Sequence, residues 1–71
     1  MSPDKMVRMA NQIAKFFASQ PEAARVSGVA NHINDFWEPR MRAALLAHIA
    51  AGGEGLDPLV IEASAQLHAP A

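Results

Sequence analysis

Four of the five prolines in this 71-residue chain, Pro3, Pro21, Pro39 and Pro58, stand where a helix can begin and where none can continue. Proline presets a helical φ but has no N–H, so it fits the first turn of a helix and breaks the interior. It also biases the residue before it toward extended backbone. Ser2 and Asp57 precede Pro3 and Pro58 as N-caps. Ser19-Gln20-Pro21-Glu22 reads as a capping box, with Ser19 accepting from the amide of Glu22 and Glu22 reaching back. Gly52-Gly53-Glu54-Gly55 supplies residues that tolerate a left-handed backbone and so ends a helix. Between these marks apolar residues recur at three and four, and no alternating run is bounded by turns. The expected fold is all-α: a small bundle of about four short helices, over about residues 3–18, 21–38, 39–51 and 58–67. The whole of 1–71 is expected to form one domain, with the first two helices in an antiparallel hairpin.

An internal echo supports the hairpin. Met6 to Phe17 and Val26 to Trp37 align without gaps at a period of twenty, pairing Ala10 with Ala30, Asn11 with Asn31, Ile13 with Ile33 and Phe16 with Phe36. At about 100° per residue, Met6, Met9, Ala10, Ile13 and Phe17 share one arc, as do Val26, Val29, Ala30, Ile33 and Trp37. Phe17 and Trp37 are therefore core candidates, whereas Phe16 and Phe36 fall toward the polar border and call for a second surface. Gly28 sits inside the second helix on the side away from the stripe, where it costs roughly 0.5–1 kcal/mol relative to Ala, and so marks a close approach.

The core available to these helices is thin. Apolar residues make up 51% of the chain, but 15 of them are Ala and there is no Cys to form a disulfide. At this size a single core supplies only about 3–5 kcal/mol net, so either the helices pack closely or a partner covers what they leave. Net charge is -1, with no basic field to favour nucleic acid or an anionic membrane surface. No apolar run approaches the roughly 20 residues of a membrane span, and Met1 to Lys5 lacks the pattern of a signal peptide, so a cytoplasmic protein is expected.

Nothing in the sequence assembles a catalytic or metal site. His32, His48 and His68 are sixteen and twenty apart, and no two share the i, i+4 spacing of a helical metal site. The three glycines before Leu56 lack the strand, the Lys and the following Ser or Thr of a phosphate loop, and Glu54 and Asp57 would repel phosphate. The acids are scattered over caps, turns and polar faces. The densest feature is the corner Phe36-Trp37-Glu38-Pro39-Arg40-Met41-Arg42, which gathers Trp, Arg, Met and Phe, the types enriched at the centres of protein interfaces. Trp37 reads equally as core or interface, while Arg40 and Arg42 favour the interface; His32, beside Phe36, reads as structural or partner-contacting.

This corner, extended to His32-Ile33-Asn34-Asp35-Phe36-Trp37-Glu38-Pro39-Arg40-Met41-Arg42, also carries a resemblance. With Leu45, Leu46, Ala47 and His48, then Gly52-Gly53 and Gly55-Leu56-Asp57-Pro58-Leu59-Val60, it resembles the delta subunit of NAD-dependent, molybdenum-containing formate dehydrogenases. Asp4 to Ala14 and Phe16-Phe17 look like the N-terminus of the same family.

The resemblance implies a small, non-catalytic accessory subunit of a cytoplasmic heteromeric enzyme that oxidises formate to CO2 and reduces NAD. In that family the alpha subunit carries bis-molybdopterin guanine dinucleotide and iron–sulfur clusters, beta carries FMN and gamma a further cluster. Delta is expected to bind none of these, and a chain without Cys has no thiolates to offer a cluster. Its expected role is assembly and stability of the complex, docked directly on alpha through Phe16, His32, Phe36, Trp37, Arg40 and Arg42, with beta and gamma in the same assembly. The alternative is a transient maturation factor that assists insertion or sulfuration of the molybdenum cofactor.

Overall fold

A computed structural model describes residues 2–69, and these form helices joined by turns with no strand among them. Helix α1 spans Pro3–Ala18, α2 Arg25–Phe36, α3 Pro39–Ala50 and α4 Pro58–Ala63, with single 3-10 turns at Glu22–Ala24 and Ser64–Gln66. The protein is an all-α small bundle.

The first and last helices start as their caps dictate. Ser2 is extended and its hydroxyl accepts the amide of Lys5 at 3.2 Å, with Pro3 in the first turn. Asp57 likewise accepts the amide of Leu59 at 2.8 Å, with Pro58 behind it. Helix α2 stops because Trp37 and Glu38 both take extended backbone ahead of Pro39. Helix α3 ends in paired bonds from Gly53 N–H to the His48 carbonyl at 2.9 Å and from Gly52 N–H to the Ile49 carbonyl at 3.0 Å. That is the Schellman pattern, and it holds Gly53 at φ +66, a left-handed conformation that favours glycine.

The turn between α1 and α2 corrects the capping-box expectation. Ser19 keeps a helical backbone (φ -85, ψ -6) as the C-cap of α1, and its hydroxyl turns back to donate to the Phe16 carbonyl at 2.7 Å. An N-cap requires extended backbone, so Ser19 has no such role and α2 begins only at Arg25, after the 3-10 turn. The Arg25 side chain closes the corner instead, donating from Nε to the Gln20 carbonyl at 2.8 Å. At the other end the fourth helical segment is α-helical only to Ala63 and then tightens into the 3-10 turn.

The core is built on small residues. Ala10, Ala14, Ala30 and Ala63 are fully buried together with Val29, Ile33, Leu45 and Val60, and Met6 and Trp37 complete the cluster. Alanine at a contact lets helix axes approach toward the near end of the usual 8–10 Å separation, so a thin set of side chains can still pack as one core. Each large member, such as Ile33 or Leu45, contributes about 1.5–3 kcal/mol by burial. Helix α4, though only 6 residues long, sits centrally: α2 packs most extensively on it, and α1 touches both. Its Val60 and Ala63 are the buried positions, with Leu59 and Leu67 partly covered.

The stripe of α1 lies slightly away from the sequence arc. Met6, Ala10 and Ala14 are buried, whereas Met9, Ile13 and Phe17 only lean against the core. Phe17 turns toward α2, and the close approach marked by Gly28 is its own ring: a Cβ at Gly28 would stand 2.4 Å from Phe17 Cδ1.

Candidate docking interface

Four aromatic rings line up on the surface where α1 and α2 meet. Phe16 packs edge-on against Phe17 (ring centroids 5.0 Å, planes at 89°), Phe17 lies 6.5 Å from the His32 ring, and His32 lies 4.9 Å from Phe36. The outer two are open to solvent, Phe16 at 60% and Phe36 at 74% exposure, while Phe17 and His32 are half-buried between them. A shallow groove of about 560 Å³ runs alongside, lined by Met9, Gln12, Ile13, Phe16, Phe17, His32 and Trp37. The row sets exposed and half-buried rings of two helices side by side as one largely apolar surface.

The six residues expected at an interface do not form one patch. Phe16, His32 and Phe36 belong to this aromatic row. Trp37 closes the floor of the groove but is itself 6% exposed, a core residue as much as a lining one. Arg40 is exposed and faces a different groove, of about 660 Å³, bordered by Pro3, Met6, Glu38, Met41 and His48. Arg42 is half-buried and already engaged, donating from Nη1 to the Trp37 carbonyl at 2.7 Å and from Nε to the His68 carbonyl at 3.1 Å. The corner that looked densest in the sequence thus splits in three directions, because α3 leaves it at Pro39 and takes Arg40 and Arg42 to different sides.

Two residues outside that set organise the surface. Asn11 donates to the Gly55 carbonyl at 2.9 Å and accepts from the amide of Asp57 at 2.8 Å. Asn34 does the same to residues 66–68, donating to the Gln66 carbonyl at 3.0 Å and accepting from the amide of His68 at 2.8 Å. The sequence hinted at only half of this, since the echo pairs Asn11 with Asn31 and Asn31 is exposed. His48 also turns out to brace a loop: its Nε2 donates to the Glu54 carbonyl at 2.8 Å.

Among the described residues no group of three His, Cys, Asp or Glu is placed to hold a metal ion, and no helix is long and apolar enough to cross a membrane. The chain contains no Cys, so it has no thiolate to offer an iron–sulfur cluster.

Fold and surface together define a small helical protein whose most distinctive feature is an exposed aromatic row. Residues 5–64 match the family model of the NADH-dependent formate dehydrogenase delta subunit FdsD, and the chain belongs to that family. No curated protein matches it.

Proposed function

We propose that this chain is a non-catalytic accessory subunit that docks on the alpha subunit of a cytoplasmic, heteromeric NAD-dependent formate dehydrogenase and supports assembly and stability of the complex. The observation that carries the reading is the pair of rings at Phe16 and Phe36, 60% and 74% exposed at the two ends of a row that otherwise packs on the bundle. Large apolar surface left open beside a core this small is the mark of an interface that a partner completes. The cofactors of the reaction, bis-molybdopterin guanine dinucleotide, iron–sulfur clusters and FMN, then reside on alpha, beta and gamma, and this chain contributes no ligand to them.

Purification of the tagged chain from its own host tests this. Stoichiometry, metal content and formate-dependent NAD reduction are read across a size-exclusion peak. Elution at fixed stoichiometry with active, molybdenum-loaded enzyme supports the permanent subunit. Elution with substoichiometric, cofactor-poor alpha subunit supports a transient maturation factor in its place.

A further inference from the structure

His32 is the one titratable side chain lining an otherwise uncharged groove. Its ring stands inside the aromatic row, 4.9 Å from Phe36 and 6.5 Å from Phe17, and the other lining residues are apolar apart from the neutral Gln12. Because His32 is half-buried, part of it still reaches water in the free chain. The charged residues of the surrounding elements stay outside the groove. On α2, Asp35 is exposed three positions on, and Arg25 is tied to the Gln20 carbonyl. Lys15 on α1 and Glu22 in the 3-10 turn are exposed, and Glu38 and Arg40 border the other groove.

Histidine is the side chain whose ordinary change of charge falls between about pH 5 and 8. A partner seated on both Phe16 and Phe36 must cross His32, since that ring lies between them in the row. Covering the ring strips its water. A charged imidazole then loses hydration that no group lining the groove replaces, whereas a neutral one needs only a donor and an acceptor. The face of Phe36 attracts a cation, but an aromatic ring repays only part of that loss.

We propose that docking on the aromatic row takes His32 in its neutral form, so that association releases the imidazole proton to solvent and acid releases the chain from its partner. The proposal rests on the docking reading above and adds the regulation of that same surface. Its sign follows from which form is covered: affinity is full where His32 is neutral and is lost as pH falls through the range in which histidine charges.

The test measures the affinity of the full chain for formate dehydrogenase assembled without it, between about pH 7.5 and about pH 5.5 at constant ionic strength. Affinity is expected to fall about tenfold over that range, as a single histidine that must be neutral dictates. His32→Gln has no proton to lose. Whatever its affinity at neutral pH, its profile is expected to lack the fall, and any slope that remains belongs to His48, His68 or the partner. A profile unchanged by the substitution, or a His32-dependent gain of affinity in acid, overturns the proposal. Calorimetry of the unmodified chain in two buffers of different ionisation enthalpy gives a reading that no folding defect can blur. Release of about half to one proton per chain bound is expected near about pH 6. No proton released there overturns the linkage. If the unmodified chain fails to bind at any pH, the docking reading falls and this proposal with it; if it binds in a Phe36-dependent way without a His32-dependent slope, only the proton linkage falls.

Discussion

Asn11 Oδ1 accepts the main-chain N–H of Asp57 at 2.8 Å, joining the middle of α1 to the N-cap of α4 across 46 positions of sequence. Asp57 in turn accepts the Leu59 amide, so the start of the central helix is anchored on α1. The same Asn11 side chain donates to Gly55 at 2.9 Å.

Asn11→Ala is accordingly expected to destabilise the chain by about 1–3 kcal/mol, because it leaves the half-buried Asp57 amide without its partner. Asn11→Asp keeps that acceptor, loses only the donor to Gly55, and is expected to cost less. Urea unfolding of the two variants, compared at equal m-value, measures the difference.

Gly28→Ala sets helix propensity against sterics. Alanine gains about 0.8–1 kcal/mol in a helix interior, but the new Cβ would stand 2.4 Å from the Phe17 ring, and overpacking of this kind costs about 1–3 kcal/mol. Net destabilisation is expected. Combining it with Phe17→Leu, which withdraws the ring, is expected to give a favourable coupling of about 1 kcal/mol or more in a double-mutant cycle.

Trp37→Ala is expected to behave as a core mutation, lowering stability by about 3–5 kcal/mol in thermal or denaturant unfolding of the isolated chain. Weaker retention of that variant in a complex would follow from unfolding alone, so Trp37 is a poor probe of docking.

Phe16→Ser and Phe36→Ser probe it cleanly. Both rings are largely in solvent, so stability of the isolated chain is expected to stay within about 0.5 kcal/mol of the starting value. Retention in the formate dehydrogenase complex, read as stoichiometry after dilution and size exclusion, is expected to fall. Full retention of the doubly substituted chain would remove the aromatic row as an anchor.

The starts of α1, α3 and α4 were legible because their causes lie within a few residues: Ser2 with Lys5, Asp57 with Leu59, and Pro39 acting on Glu38. The exposed rings at Phe16 and Phe36 were legible too, as departures from the apolar arc of their own helices. The turn after α1 was misread because Ser19 can cap forward or bond backward, and the choice depends on its backbone, which Arg25 helps to hold through Gln20. The intramolecular bonds of Arg42 were not legible for a related reason. Its acceptors are carbonyls of Trp37 and His68, groups that every residue carries and that leave no mark in a sequence.

Sequence alone determined the fold class, the helix boundaries at Pro3, Pro39, Pro58 and the Gly52-Gly53 pair, and membership of a recognisable family. These depend on local sterics, capping and residue pattern, which act over one or two helical turns. Tertiary structure decided which part of each apolar stripe is buried, that the six-residue α4 packs against both α1 and α2, and that Asn11, Asn34 and Arg42 hydrogen-bond to distant backbone. Those outcomes depend on where neighbouring helices come to rest, and a side-chain amide or guanidinium finds its main-chain partner only after that packing has brought the two together.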